Sequence, residues 1–357
     1  MVTPLLWVGE QPGYILEEHE KVIDSVINYY YPFERDITDV KIPYKYEKLF
    51  LDNGAYTALH QGKELDAERV LDLQEGIDPD FTIPLDYPYK PGMEKREMDK
   101  RWERTKENIL YWQESSSLEI IPSLHAVGTK MMVNSIQWLQ KRCNSEFLAV
   151  GSVITRYNSR IKINEKFNGF FGDRQPSKQL MDLLLFVGQM TKKYSDFDIH
   201  IMGFGSSPLM YHLGVYCGVH STDSSGHRRK AAFGNIILPG TATRYICNRE
   251  YNFDNRPPNA EEKELLEECM CPICQELHQD SKIRLEKLAS HWKLRAIHNI
   301  WVIKYEEQRA KYLLNEGEDI YEKFLEEMFA KSGLNHLWKY AQKMKKQSRV
   351  EYWIGGD

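Results

Sequence analysis

The sequence predicts an α/β protein: a parallel sheet covered by helices and closed into a (β/α)8 TIM-type barrel, with a smaller subdomain and long helices after it. Three observations predict this. Short apolar runs alternate with longer amphipathic stretches through residue 255. Several runs finish on a polar side chain, namely Asp52, Asp86, His125, Ser152 and Asp223, at the strand ends where a barrel gathers its site. Periodicity alone leaves an open doubly wound sheet as the alternative, and the convergence of these ends favours closure. At Arg256-Pro257-Pro258-Asn259 the texture changes to charged, helical sequence.

The runs Lys48 to Asp52, Phe81 to Asp86, Glu119 to His125, Phe147 to Ser152, Asp198 to Gly205 and Val219 to Asp223 read as strands, each stopped by a polar or glycine residue. Asp66 to Gly76, Glu97 to Glu114, Lys130 to Arg142 and Ser177 to Tyr194 carry apolar residues at helical spacing and read as the covering helices. Beyond the break, Ser290 to Glu316 and Glu318 to Lys346 read as long helices, the second interrupted at Ser332-Gly333-Leu334-Asn335. This divides the chain into a barrel over residues 1–255 and a subdomain with C-terminal helices over residues 256–357.

A chain of 357 residues buries a substantial core, and 42% hydrophobic with 28% charged residues is the composition of an ordinary globular enzyme. No window approaches the roughly 18 apolar residues of a membrane span. Met1 to Glu10 lacks the basic-then-apolar order of a leader, so the cytoplasm is the expected compartment and no membrane partner is expected. A net charge of −5 exerts no global pull on phosphate, so contact with a nucleic acid must come from local patches. Two candidates follow strands that end on polar residues: Arg156, Arg160 and Lys162, and then His227, Arg228, Arg229 and Lys230. The C-terminal Lys339, Lys343, Lys345, Lys346 and Arg349 read rather as a solvated helix end.

Of six cysteines, Cys143, Cys217 and Cys247 stand singly and read as reduced core thiols. Cys269, Cys271 and Cys274 crowd into six residues, a spacing that suits a tetrahedral soft-ligand ion, with Zn2+ as the expected occupant and a structural staple as its role. A fourth ligand is required, and His278, His291 and His298 are all within reach of the spacing. Such a closed site leaves no position for substrate, which turns attention to the carboxylates. Asp52 opens an Asp-Asn-Gly turn and Asp223 an Asp-Ser-Ser-Gly turn, sequences that also serve simply to reverse a chain.

Taken in order, these segments resemble the tRNA-guanine transglycosylase superfamily across most of the chain. Leu51 to Tyr56 is similar to that family's Asp-Ser-Gly-Gly-Tyr/Phe-Gln segment, Pro84-Leu85-Asp86 to its base-recognition strand end, and Leu148 to Ser152 to its Gly-Gly-Leu pocket segment. Ile201-Met202-Gly203-Phe204-Gly205 resembles Leu-Met-Gly-Val-Gly, and Gly218 to Asp223 resembles the strand of its nucleophile. Cys-x-Cys-x-x-Cys followed by a histidine before asparagine matches through Ile297-His298-Asn299, so the resemblance implies His298 as the fourth ligand.

What the resemblance implies is a transglycosylase that replaces a purine base through a covalent sugar intermediate. Asp223 would attack C1′ and Asp52 would manage the proton of the leaving and incoming bases. Asp86 would accept the N1 and 2-amino edge, Tyr56 and Met202 would sandwich the ring, Gly203 would line the pocket, His125 would reach O6, and Gly151 and Ser152 would meet the substituent at position 7. The chain departs from the family at Thr57, at Pro122-Ser123-Leu124-His125-Ala126 and at Ser224 to Arg229. Because these departures surround the nucleic acid and spare the carboxylates, the expected branch is the one that places a 7-deazaguanine, such as 7-cyano-7-deazaguanine, into DNA. Exchange on tRNA is the alternative, as is a non-catalytic zinc barrel that binds nucleic acid; a homodimer is left open.

Overall fold

The computed structural model describes residues 5–10, 27–30, 47–89, 93–125, 128–152, 176–247, 257–277 and 281–347. Eight strands form one sheet: β1 (Leu5–Glu10), β2 (Ile27–Tyr30), β3 (Lys48–Leu51), β4 (Phe81–Thr82), β5 (Ser123–His125), β6 (Phe147–Gly151), β7 (Asp198–Ile201) and β8 (Ser221–Ser224). Their order is β4-β3-β2-β1-β8-β7-β6-β5, and every pairing is parallel. The two edges meet. Thr82 donates its backbone N–H to Glu119 at 2.9 Å and accepts that of Ile121 at 2.7 Å, a parallel bridge that leads directly into β5. The sheet is therefore a closed barrel, as the strand ends predicted.

Side chains alternate across this wall because successive residues of a strand point to opposite faces. Trp7, Phe50, Ile83, Ile121, Phe147 and Ala149 form one buried cluster. Its aromatic rings meet edge to face, Trp7 with Phe50 at 5.2 Å and Phe81 with Phe147 at 5.8 Å, the arrangement their quadrupoles favour. The intervening residues, among them Leu6, Leu148, Val150, Ile199 and Ile201, join the cluster made with the surrounding helices.

Those helices are α1 (Ala55–Gln61), α2 (Ala67–Ile77), α3 (Lys95–Ser115), α4 (Thr129–Arg142), α5 (Pro176–Tyr194), α6 (Pro208–Tyr216) and α7 (Gly226–Ala232). The antiparallel pair β9 (Asn235–Ile237) and β10 (Thr243–Tyr245) follows, and then α8 (Ala260–Glu267), α9 (Pro272–Leu277), α10 (Ser281–Ser290), α11 (Trp292–Glu316), α12 (Glu318–Ala330) and α13 (Asn335–Gln347). Asp66 caps α2 by accepting the Arg69 N–H, and Asn259 with Glu262 forms a capping box on α8.

Three predicted strands are shorter than their apolar runs, for a local reason in each. After Thr82 the carbonyls of Ile83 and Pro84 are taken by the side chains of Gln74 (2.9 Å) and Asn53 (2.7 Å) instead of a neighbouring strand. Pro122 has no N–H to give, and β5 begins only after it. Gly203 and Gly205 adopt left-handed φ of 69° and 92°, which turns the chain out of the sheet after Ile201. Conversely, β1 and β2 are strands that the sequence reading did not identify.

The long helix α11 is bonded to the barrel by side chains as well as packed on it. Glu307 accepts the backbone N–H of Leu6 at 3.1 Å, and Lys304 and Lys311 bracket that carboxylate at 2.5 and 2.6 Å. Asn299 accepts from Ile237 N–H (2.7 Å) and donates to the carbonyls of His227 (3.1 Å) and Asn235 (3.3 Å). Among the described residues, no helix is long and apolar enough to cross a membrane.

Helix α5 crosses the turn after α6 so closely that a Cβ on Gly188 would lie 2.3 Å from the Cys217 carbonyl oxygen. Neither backbone can yield cheaply. Gly188→Ala is expected to destabilise the fold by about 1–3 kcal/mol, the usual cost of overpacking, read as a lowered denaturant midpoint at unchanged slope.

Candidate active site

One rim of the barrel carries every strand end that the sequence singled out. The register sets it out: His125 pairs with Gly151, Val150 with Ile201 and Ile201 with Thr222, so Gly151, Met202 and Asp223 follow one residue past those pairs. On the other side of the closure, β3 and β4 end at Asp52 and near Asp86. All three carboxylates are nearly enclosed, Asp52 at 8%, Asp86 at 2% and Asp223 at 7% exposure.

Side chains connect these ends in sequence around the rim. Asn53 follows Asp52, whose Oδ1 accepts the Asn53 backbone N–H at 2.8 Å. The Asn53 amide then donates to Asp86 Oδ1 at 3.0 Å, while Asp86 Oδ2 accepts the Ser123 hydroxyl at 3.2 Å. A carboxylate offers about four acceptor positions, so each Asp86 oxygen keeps capacity for one further donor. His125 Nε2 lies 3.1 Å from Asp86 Oδ2 but out of line for a hydrogen bond, which leaves that buried nitrogen without an aligned partner.

The other imidazole nitrogen, Nδ1, is 3.1 Å from Ser152 Oγ. Ser152 itself takes a left-handed φ of 61°, uncommon for a residue with a side chain, and accepts the Tyr89 N–H at 3.4 Å. Gly151 is required beside it: a Cβ there would stand 2.7 Å from His125 Nδ1 and 3.4 Å from Met202 Sδ. The Tyr89 ring packs on His125 with centroids 4.9 Å apart, and burial, reinforced by Asp99 and Asp86, raises its phenol above the usual range.

On β8, Asp223 Oδ1 accepts the Gly203 N–H at 2.5 Å, a bond made possible by the left-handed turn at Gly203. Gly203, expected to line the pocket, thus meets the carboxylate directly. His200 Nε2 stands 3.4 Å from the same oxygen. His200 is a functional candidate that the sequence reading missed, because a single histidine in an apolar run is indistinguishable from core. Tyr56 sits in the first turn of α1, past the left-handed Gly54, and is 52% exposed with its ring 4.2 Å from that of His60. Beside the rim a cavity of about 330 Å³ lies between α1 and α3, walled by Ala58, Leu65, Arg101 and Arg104, with Asp86 on its lining.

Of the basic patches, Arg156, Arg160 and Lys162 lie outside the described residues. His227 departs from expectation: it is fully buried on the inner face of α7, so any phosphate contact from this patch falls to Arg228 and the exposed Arg229. Lys230, half-buried, is lowered to about 8 by desolvation.

Cys269, Cys271, Cys274 and His298 converge in a second, fully buried site, their ligand atoms all within 4.8 Å of one another. His298 Nδ1 lies 3.7, 3.5 and 3.4 Å from the three sulfurs. Zinc bond lengths of about 2.3 Å to sulfur and 2.0–2.1 Å to nitrogen place such atoms about 3.5 Å apart in a tetrahedron, so the residues fit a soft divalent ion. His298 Nε2 is 2.9 Å from the Ile237 carbonyl, which fixes Nδ1 as the ligating nitrogen. Hydrogen bonds from Cys271 and Cys274 hold the Cys269 thiol far below the ordinary range. Of the other candidate ligands, His291 is exposed and bonded to Ser290 and Lys287, and His278 lies outside the described residues.

The family model for queuine tRNA-ribosyltransferase matches residues 7–333. The tRNA-guanine(15) transglycosylase of Pyrococcus furiosus is 24% identical over 277 residues, which cover 75% of this chain and 40% of that protein. The tRNA-guanine(15) transglycosylases of Thermococcus onnurineus and Aeropyrum pernix are 21% and 22% identical over 269 and 275 residues, covering 75% and 74% of this chain and 40% and 46% of theirs. The chain thus spans less than half the length of these curated relatives.

Purified protein is expected to hold a divalent ion at the cysteine cluster, measured by elemental analysis. His298→Ala is expected to lose that ion and to unfold at a lower temperature; a variant that retained it in full would exclude the cluster as the metal site.

Proposed function

Because this chain belongs to the queuine tRNA-ribosyltransferase family, we propose that it exchanges a guanine in tRNA for a modified base, with Asp223 as nucleophile and Asp52 as proton carrier. The observation that carries the reading is the gathering of Asp52, Asp86, His125, Ser152 and Asp223 on one rim, with Asp86 held by Asn53 and Ser123, Asp223 by the Gly203 N–H at the end of the adjacent strand, and Asp52 by the N–H of the residue that follows it. The departures at His125 and Ser224 to Arg229 favoured DNA from sequence, whereas the curated relatives are named for tRNA, which favours the tRNA alternative. DNA becomes the comparison arm of the experiment.

In the first step an Asp223 oxygen attacks C1′, the C1′–N9 bond breaks with its electron pair going to the base, and Asp52 supplies the proton. In the second step the incoming base attacks C1′ through N9, its proton passes to Asp52, and the C1′–O bond breaks with its pair returning to Asp223. Two inversions retain the configuration of the sugar.

The remaining acceptor position on each Asp86 oxygen matches the two donors of a guanine edge, N1–H and the 2-amino group. A base lacking them would leave a buried carboxylate underpaired, which is the physical basis of selection. His125 Nε2 is the donor within reach of O6, and Gly151 and Ser152 border position 7, where a 7-deaza substituent would sit. Tyr56 and Met202 bound the faces of the ring. Arg228 and Arg229 supply phosphate contacts. Cys269, Cys271, Cys274 and His298 would hold zinc as a structural ion, which would fix the segment that follows β8 and supply no chemistry to the exchange.

Trapping of a denaturant-stable adduct tests the proposal. Wild-type protein is expected to form it with tRNA in preference to duplex DNA, and Asp223→Asn to form none. Asp52→Asn is expected to slow exchange about a hundredfold or more, the typical worth of a positioned acid/base. An adduct that survives in Asp223→Asn would rule out this nucleophile.

A further inference from the structure

His200 lies on β7 inside the barrel, three residues before Gly203, and is wholly buried. Burial of an imidazole among aromatic side chains is costly unless its nitrogens find partners, and a hydrocarbon of similar size would fill the same space. The Phe50 ring meets it edge on at 5.1 Å. Its Nδ1 lies 2.9 Å from Ser221 Oγ, and that oxygen already accepts the indole N–H of Trp7 at 2.7 Å.

This chain of contacts accommodates the Nε2–H form of the ring. Trp7 Nε1 is a donor only, so Ser221 spends an acceptor position on it and has its own proton to give to His200 Nδ1. With Ser221 donating, Nδ1 is the lone-pair nitrogen and the neutral ring carries its hydrogen on Nε2. Nε2 stands 3.4 Å from Asp223 Oδ1 and, like the corresponding atom of His125, has no aligned hydrogen-bond partner. Oδ1 is also the oxygen that the Gly203 N–H holds.

We propose that His200 is a positioning residue for Asp223: its Nε2–H, 3.4 Å from Oδ1 and out of line in the resting site, swings onto that oxygen as the carboxylate meets the sugar, so that with Gly203 it leaves Oδ2 to attack and stabilises the charge that returns to Oδ1 when the ester breaks. The proposal rests on the reading of Asp223 as nucleophile. In the first step Oδ2 bonds to C1′ as the base departs, and Oδ1 becomes the carbonyl oxygen of the ester. In the second step the C1′–Oδ2 bond breaks, its electron pair delocalises onto Oδ1, and two donors meet it there. A donor on the leaving carboxylate assists the second step more than the first, since it makes Asp223 a better leaving group and a slightly poorer nucleophile.

That asymmetry separates positioning from mere packing. His200→Phe preserves bulk and removes the donor. Turnover is expected to fall about tenfold to a hundredfold, the range for loss of a hydrogen bond to a charged oxygen, while KM for the base stays within about twofold. Over the same interval the fraction of protein trapped as adduct is expected to rise, because ester breakdown slows more than formation. His200→Gln, which keeps a donor, is expected to recover part of the rate. Ser221→Ala frees the ring to carry its hydrogen on Nδ1 and is expected to shift adduct and turnover in the same directions by a smaller factor, which decides the matter should His200→Phe fail to fold.

A readout independent of turnover is nitrogen NMR of the imidazole in wild-type protein, where the Nε2–H tautomer is expected for His200. An Nδ1–H tautomer, or a folded His200→Phe with unchanged turnover and unchanged adduct fraction, overturns the inference. Absence of any adduct in the wild type with tRNA and with DNA would instead count against the parent reading, while the tautomer measurement would still judge the role of His200.

Discussion

Everything at the rim depends on two backbone hydrogen bonds made by Thr82. They join β4 to the segment entering β5 and so convert a sheet with two free edges into a closed wall. Their energy is modest, each worth on the order of 1 kcal/mol net. Their geometric effect is not: in the open sheet β4 and β5 are the opposite margins, and Asp86 and His125 belong to different ends of the molecule. Closure brings Asp86 within 3.1 Å of His125 and gives each strand end a neighbour on both sides. Gln74 reinforces the joint from outside, donating to Ile83 while accepting the Trp112 indole at 2.7 Å.

The second constraint comes from α11. His298 faces the cysteines with one nitrogen and the Ile237 carbonyl with the other, and the adjacent Asn299 binds the backbone of His227, Asn235 and Ile237. Consecutive side chains thus tie the metal cluster to the segment that continues from the Asp223 strand. The cluster and its helix thereby fix the exit of β8. Arg295 extends the tie, donating to the Ala231 carbonyl at the end of α7.

How far the sequence discloses this arrangement varies with the kind of interaction. The covering helices α2 to α5 were legible because an amphipathic period extends over many residues, and the cysteine spacing was legible because thiols rarely cluster without an ion. Strand β2 was not: four residues that include Asn28 carry too little pattern to distinguish from a loop. Leu5 to Glu10 is a single short apolar run with no local partner to mark it as a strand of the sheet, and its pairing with β8 is a contact more than two hundred residues distant. His200 was hidden for a related reason, since its meaning lies in Trp7 and Ser221, which no local window includes. His227 misled in the opposite direction: three basic neighbours suggested a surface, yet its own position faces inward.

The bond between Glu307 and the Leu6 amide has a consequence for biogenesis. β1 is made before β8 and the helix bearing Glu307, so one side of that strand waits for partners more than two hundred residues further along the chain. Such non-local pairing makes folding slow and leaves an apolar segment uncovered in the nascent polypeptide. Leu5 to Val8 is accordingly the apolar stretch whose burial is completed last.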